Sequence, residues 1–552
     1  MTGSQVGVNP ISVLPQGWQI DRDVLVLVGA DQAGVAALFK AHGQQRIVSY
    51  LPPGATGPAN DAAVEIRDHG SLREYVAGLT GVGPQLASVN AITGADVDPG
   101  LVSELSEVLG KALRAWQMGR NTVDESGALW LDQMVQNMAR LARLPSVDEL
   151  TGTFSGRPCV IVSPGPSLDK NIGLLKELNG RAVVMTCPHG LHALEEIGVV
   201  PDVVVIGDAR VLAWQYGDYD FSRVPALVLM ASSSPELFDL PARQIFTYGF
   251  HPEVDLWAYE FLGKDAFLGT GGSVACAEFS LAHRMGCSRI AFIGQDLAFE
   301  GGRYYAASAR DGDSVASLSE DGEHFVLERQ LPVDGFNRWG EGTVPAPARR
   351  VVEVPGYHGG VVQTSDALSV FIDWFTAVLA SDDCTAQVYN CTEGGAYIDG
   401  MEHRPLAQFL SDLATDIQPV AAEELELRAI RWDQAQAESL MITSLAQIMA
   451  QIEACRASAG SCLKLVRAAR GNEARLRRLS KEETRLRREI RKVPFLAVMA
   501  QEEIRLASEA GAAAADVSSS LDASERLFQV VLKAVRAVHS HLSESYRQLR
   551  AA

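Results

Sequence analysis

The sequence predicts an α/β protein in three parts: a smaller α/β N-terminal domain, a central domain on a mostly parallel sheet, and a C-terminal α-helical bundle. Three observations carry this. Short apolar runs alternate with amphipathic segments through the middle of the chain, the pattern of buried parallel strands covered by helices on both faces. The last third switches to a helical period rich in Ala, Leu, Glu and Arg with few breakers. The 552 residues also exceed one core, at about 100–200 residues per domain. An open parallel sheet of this kind is Rossmann-like.

The N-terminal domain is expected over residues 1–125. "DVLVLVGA" and "RIVSYLPP" read as buried strands, with a helix over "DQAGVAALFKAHG" between them. Gly29 to Gly34 gives no dinucleotide-binding fingerprint. Residues 126–149, including "ALWLDQMVQNMARLARLPSVDEL", form a helical linker. In the central domain, 150–405, strands are expected at "CVIVS", "AVVMTC", "DVVVIGDA", "ALVLMAS", "QIFTYG", "RIAFIGQDL" and "AQVYNCT". Helices are expected after Ser167, at "GLHALEEIG", at "GGSVACAEFSLAHRMGC" and at "TSDALSVFIDWFTAVLA". Residues 308–355, rich in Gly, Asp, Ser and Pro, are too long for a structureless connection and read as an insertion or lid. The helical domain spans 406–552, with turns at Pro494 and Gly511. Its segment "NEARLRRLSKEETRLRREIRK" is strongly basic, either a solvated face with i,i+4 ion pairs or a docking surface for an acidic partner.

Composition limits the function. The net charge of −20 argues against general binding to nucleic acid or anionic membranes. The eight cysteines form no CxxC pair and no zinc spacing, so they read as reduced structural residues. The N-terminal stretch lacks the basic and apolar regions of a signal peptide, and no apolar run reaches transmembrane length. A cytoplasmic protein is expected.

Ligands of open α/β sheets bind beyond the carboxyl ends of the strands, which singles out five loops. The first is Ser163 to Ser167, where Gly165 and Pro166 shape a tight turn and Ser167 is placed to cap a helix whose buried stripe is Leu168, Ile172 and Leu175. A helix N-terminus there suits phosphate; a plain strand-to-helix turn is the other reading. The second is "IGDAR", where Asp208 reads as a ribose or metal ligand, or a solvated turn residue. In the third, Thr270, Gly271 and Gly272 precede Ser273 at another helix start, for anion binding or for close helix–sheet packing. The fourth joins Gln295 and Asp296 to Tyr304 and Tyr305, whose hydroxyls either reach phosphate oxygens or pack. The fifth holds Thr392, Glu393, Gly394 and Gly395. Jointly they favour a phosphate-bearing ligand. None is GxxxxGK[ST], so a P-loop ATPase is disfavoured.

The stretches "GPSLDKNIGLLKEL", "VVPDVVVIGDA", "GTGGSVACAEFSLAHRMGCSRIAFIGQDLAFEGGRYYA" and "YNCTEGGAYIDG", in this order and spacing, resemble the motility-associated factor (Maf) flagellin glycosyltransferases. The core also resembles a group of bacterial sialyltransferases. The resemblance implies transfer of a nonulosonic acid, of pseudaminic or legionaminic type, from a CMP-activated donor to Ser or Thr of flagellin. It implies that Gly165 to Ser167 and Gly271 to Ser273 hold the CMP part, and that Tyr304 or Tyr305 binds the departing phosphate. Many Maf relatives carry Thr-His where this chain carries Tyr304-Tyr305, which brings the loop closer to the sialyltransferase pattern.

Such a reaction needs a group that deprotonates the acceptor hydroxyl. Asp296, Glu393 and His358 are the candidates, and His189 is a candidate nucleotide contact. The other readings of the two histidines are a surface-loop residue and a solvated helix-start residue. The donor acts as substrate; no tightly bound cofactor is expected, no metal ligand is assigned, and the need for a divalent metal stays open. A homo-oligomer is compatible with the long helices. The core resembles 6-hydroxymethylpterin pyrophosphokinases as well, and a non-catalytic flagellin-binding assembly factor is a third reading.

Overall fold

The computed structural model describes residues 24–28, 47–50, 64–66, 71, 89–93, 99–209, 213–310, 312–313, 315–328, 349–413, 422–468, 472–493, 495–496 and 517–551. The chain divides into two compact units, Met1–Asn121 and Thr122–Ala552. In the first unit β1 (Val24–Val28), β2 (Ile47–Tyr50), β3 (Val64–Ile66) and β4 (Val89–Thr93) form a parallel sheet in the order β3-β2-β1-β4. The helix expected between the first two strands lies outside the described residues, as do the turns at Pro494 and Gly511.

Helix α1 (Pro99–Arg143) is longer than the linker expected at 126–149 and contains the boundary between the units. In the second unit its Leu131, Met134, Val135 and Met138 are buried at helical spacing against the central core.

That core surrounds an eight-stranded parallel sheet. Its strands are β5 (Pro158–Val162), β6 (Val183–Thr186), β7 (Val203–Ile206), β8 (Ala226–Met230), β9 (Gln244–Tyr248), β10 (Arg289–Ile293), β15 (Gln387–Asn390) and β16 (Glu402–His403). The order is β16-β15-β10-β5-β6-β7-β8-β9, and all pairs are parallel. Cys159 and Ile161 of β5 join one apolar cluster, whereas Val160 and Val162 join another. This period-2 split explains the unbroken apolar runs in the sequence: both sheet faces are covered. The covering helices include α2 (Pro188–Glu196), α3 (Val274–Arg284), α4 (Asp366–Leu379) and α5 (Leu406–Ser411).

From β5 the order runs through β6 to β9 on one side and through β10, β15 and β16 on the other. The reversal between β5 and β10 is the topological switch point, where loops diverge and leave a crevice. Between β10 and α4 lies an antiparallel sheet of β11 (Val315–Leu318), β12 (His324–Glu328), β13 (Arg349–Pro355) and β14 (Val361–Ser365). Most of it comes from the segment whose sequence shows little period, because its strands are short and half-exposed.

The C-terminal helices are α6 (Gln434–Ala468), α7 (Glu473–Ile490) and α8 (Val517–Ala551), with α6 packed on both others. Along α6 the buried positions include Met441, Leu445, Ile448, Ile452, Cys455, Ala459, Cys462 and Val466. Along α8 they include Phe528, Val531, Val535, Val538, Leu542, Ser545 and Leu549. Both sets alternate steps of three and four, the seam of coiled-coil-like packing. The bundle is tied to the core by Trp257 stacked on Phe495, ring centroids 4.4 Å apart, and by Arg143 on Glu438 at 2.8 Å. On α7, Leu479 and Leu486 are buried and the basic side chains face outward, with Arg485–Glu482 and Lys492–Glu489 as local ion pairs. All eight cysteines are unpaired and seven are buried.

The seam has a measurable consequence. Leu445→Ala removes a fully buried side chain and is expected to cost about 2–5 kcal/mol in chemical denaturation. Gln447→Ala, two residues away on the exposed face, is expected to stay within about 0.5 kcal/mol of the parent.

Candidate active site

The strand-end loops of β5, β6, β7 and β10 surround a cleft of about 270 Å³ at the switch point. Its wall is completed by the start of α3 and by Leu368 and Phe371 of α4. Among the expected residues, Gly165, Pro166, His189, Asp208, Ser273, Gln295, Asp296, Tyr304 and Tyr305 line it. Ser167, Thr270, Gly271, Gly272, Thr392, Glu393, Gly394, Gly395 and His358 do not.

Asp296 is the centre of the β5–β10 end. It is 2% exposed, and its two carboxylate oxygens accept the Ser167 N–H at 3.1 and 3.2 Å. Burial pushes its pKa up to about 6, against the lowering effect of the Ser167 hydrogen bonds. Gly165 lies so close that a Cβ there would collide with the Asp296 carboxylate and the Gly294 carbonyl. Leu297, the next residue, is a non-glycine in the left-handed region at φ 47°, held by the Thr364 hydroxyl donating to its carbonyl at 2.7 Å. Such backbone costs on the order of 1–3 kcal/mol and persists only where the surroundings enforce it.

These contacts change the role of the first loop. Ser167 is fully buried, its N–H is taken by Asp296, and its hydroxyl donates to Glu300 at 3.1 Å. It stands at the N-cap position without a side-chain capping bond, and the helix after it is one turn, Leu168–Asn171, followed by 3₁₀ geometry over Ile172–Glu177. Leu168, Ile172 and Leu175 are buried as expected. The turn holds a carboxylate of the protein where the sequence suggested a phosphate. Pro164, Gly165 and Pro166 remain as cleft wall.

The fifth loop supports the fourth. The Gln295 N–H donates to the Thr392 hydroxyl at 3.0 Å, and Ser163 Oγ donates to Gln295 Oε1 at 2.5 Å. Gly395, at φ 72°, lets the chain lie against Asp296, whose carbonyl accepts the Ala396 N–H at 2.7 Å. That bond fixes the loop after β15 to the loop after β10. Gly394 likewise leaves room for Ser167, Glu300 and Lys170, whose Nζ lies 3.2 Å from the Ser167 hydroxyl. Glu393 Oε1 accepts from Asn171 Nδ2 at 2.9 Å and from the Leu406 N–H at 3.1 Å. Its carboxylate therefore ties two elements together away from the cleft. His358 is exposed, with Nε2 3.2 Å from the Glu393 carbonyl. Of the three candidate bases, Asp296 is the one that borders the cleft.

Gly271 and Gly272 pack under Trp374 and Phe371 of α4, a close packing against a helix where the sequence suggested one against the sheet. Ser273 stands at the N-cap of α3 without a side-chain capping bond, and Ser273, Val274 and Ala275 border the cleft. The N–H groups of Val274 and Ala275 have no acceptor within the helix, so this end of α3 favours anionic groups. Tyr305 stacks on His189 with ring centroids 4.8 Å apart, and Tyr304 meets Tyr305 edge-on at 4.6 Å. Phe299 links Tyr304 to Phe325 of the inserted sheet, at 5.6 and 3.9 Å. Strand β12 thus braces the tyrosine loop.

Sequence reasoning missed Glu278, which borders the cleft from α3 and is fully buried. The signal was present: a lone acid between Ala277 and Phe279 in an otherwise apolar helix face. It also missed the Lys170–Glu300 pair at 3.4 Å, because Glu300 and Lys170 meet only through tertiary contact.

Residues 132–302, which include β5 to β10 and most of the cleft, match the family described as 6-hydroxymethylpterin diphosphokinase MptE-like. No curated protein matches the chain in sequence. Among solved structures, the Maf glycosyltransferase from Magnetospirillum magneticum AMB-1 is similar with a TM-score of 0.54 and 14% identity, covering 96% of this chain and 80% of that one. The chain has the Maf glycosyltransferase fold. Among the described residues, no helix is long and apolar enough to cross a membrane.

Asp296 gives a pH-dependent prediction. Its folded pKa is raised from 3.8 to about 6, so the folded state holds more protons than the unfolded chain between those values. Its contribution to stability is fully present below pH 3.8 and is lost as pH rises through about 6. Asp296→Asn is therefore expected to raise stability at pH 7.5 by about 1–3 kcal/mol. The advantage should close as pH falls from about 6 towards 3.8, read by denaturation across pH.

Proposed function

We propose that this protein is a glycosyltransferase that moves a nonulosonic acid, of pseudaminic or legionaminic type, from a CMP-activated donor to Ser or Thr hydroxyls of flagellin. The observation that carries the reading is the cleft at the β5–β10 switch point, bordered by buried Asp296, the Tyr304–Tyr305 pair and the start of α3, in a chain with the Maf glycosyltransferase fold. The donor and acceptor classes are those implied by the resemblance of the sequence motifs to the Maf flagellin glycosyltransferases.

In this mechanism the bond between the sugar's anomeric carbon and the phosphate oxygen breaks, and CMP leaves with the electron pair. The phosphate gains negative charge as it departs. The start of α3 and the hydroxyls of Tyr304 and Tyr305 stabilise that charge, which is the largest contribution such a site makes. Asp296 accepts the proton of the acceptor hydroxyl as its oxygen forms the new bond to the anomeric carbon. A carboxyl raised to about 6 is ionised at neutral pH yet basic enough for the task. Gln295, His189, Asp208 and Ser273 are the remaining polar contacts of the substrate in this account. Gly165 and Pro166 form the wall, while Ser167, Thr392, Glu393, Gly394 and Gly395 hold Asp296 and its strand end in place. In this account the reaction occurs in the cytoplasm.

A second reading has one observation in its favour: the family match to 6-hydroxymethylpterin diphosphokinase MptE-like proteins. It requires ATP, a divalent metal and a pterin, and it gives no role to the helical region beyond residue 405.

Intact-mass analysis of flagellin co-expressed in a cell that makes CMP-nonulosonates separates these readings. The wild type is expected to add one or more nonulosonic acid masses. Asp296→Asn is expected to reduce the rate by about 10²–10⁴-fold while the protein stays folded. Glu393→Gln, which keeps the acceptor oxygen, is expected to retain most activity. No increment with the wild type, together with pterin pyrophosphorylation from ATP, would establish the second reading instead.

A further inference from the structure

The cleft has a second end, under the loops that follow β6 and β7. Glu278 lies there, on the same face of α3 as Val274, one turn from the helix start. It borders the cleft floor at 0% exposure, and neither carboxyl oxygen has a hydrogen-bond partner. The hydroxyl of Tyr248 is also fully buried and without a partner, and a Cβ on Gly207 would come within 2.9 Å of it and 3.3 Å of Val274. Buried polar groups that lack a partner cost stability in the free protein. No Lys or Arg is among the described residues that line the cleft, and His189 is the basic side chain among them. Burial raises the Glu278 pKa well above its ordinary value.

A neutral carboxyl presents one O–H donor beside one carbonyl acceptor. The complementary partner is a base edge that carries a donor beside an acceptor, and the carboxyl proton can sit on either oxygen to match their order. Cytosine carries that pair on its N3 and N4 edge, and acidic side chains accept from its N4 amine. Cys187, Ile206 and Val274 line the same cleft with apolar surface suited to the faces of a flat ring.

We propose that Glu278 is the base-binding residue of this cleft, pairing through its carboxyl with the N3 and N4 edge of a cytidine nucleotide. This rests on the CMP-donor reading above and adds to it the residue that holds the base. The carboxyl accepts from the N4 amine and donates its O–H to N3. The ribose and phosphate then run along the cleft towards Tyr304, Tyr305 and Asp296.

The test is calorimetric titration of the full chain with CMP and with UMP, for the wild type, Glu278→Gln and Glu278→Leu, with the melting temperature of each free protein. The wild type is expected to bind CMP, and UMP through the same two hydrogen bonds in the opposite order, donating to O4 and accepting from N3–H. Glu278→Gln, whose amide offers the same donor and acceptor, is expected to keep CMP affinity within a few fold. Glu278→Leu is expected to lose affinity for both nucleotides at least about tenfold, while its melting temperature rises. Equal CMP affinity in the wild type and Glu278→Leu would overturn the assignment. A wild type that binds no CMP would instead remove the cytidine-donor reading itself.

Discussion

The geometry of the site depends on one buried contact, the Asp296 carboxylate against the Ser167 N–H. It joins the loop after β5 to the loop after β10, the two strands between which the sheet order reverses. Without that contact two neighbouring loops would be free to diverge, and a buried carboxylate would lose its hydrogen bonds. Around it the packing is close enough that Gly165 and Gly395 both abut Asp296, and Leu297 is forced into left-handed backbone. Strain gathered at one strand end is the usual companion of a functional constraint. Here it places one carboxylate, with a raised pKa, at the edge of a cleft.

The rest of the fold reads as support for that placement. The parallel sheet supplies rigid strand ends, and its two apolar clusters fix them from both faces. The inserted antiparallel sheet reaches the tyrosine loop through Phe325 and Phe299. Helix α4 brings Phe371 and Leu368 to the cleft wall while Trp374 covers Gly271. The C-terminal helices pack through a seam of their own and join the sheet layer at Trp257, Phe495 and Arg143. In the proposed account the two buried acids of one cleft, Asp296 and Glu278, divide the work between reaction and recognition.

Much of this was legible in the sequence, for physical reasons. Strands β5 to β10 were readable because full burial on both faces demands unbroken apolar runs, as in "CVIVS" and "DVVVIGDA". The strand-end loops were readable because a parallel sheet has one functional edge. Nine of the expected residues do line the cleft, Asp296 and the two tyrosines among them. The role of Ser167 was not legible: whether an N–H meets a phosphate or a carboxylate depends on Asp296, 129 positions away. Glu393 illustrates the same limit, since its partners Asn171 and Leu406 come from separate elements. The inserted sheet escaped because its half-exposed strands carry a weak period. Glu278 was visible as an anomaly in an apolar helix face, but only burial without a partner gives the anomaly meaning.

The central claim is that a cytidine nucleotide occupies the cleft at the β5–β10 switch point. A crystal structure of the full chain grown with CMP tests it most directly. The account predicts the phosphate near Tyr304, Tyr305 and the start of α3, and the base within hydrogen-bonding distance of Glu278. CMP bound elsewhere, or bound in the cleft with its base remote from Glu278 and its phosphate remote from both tyrosines, would contradict it.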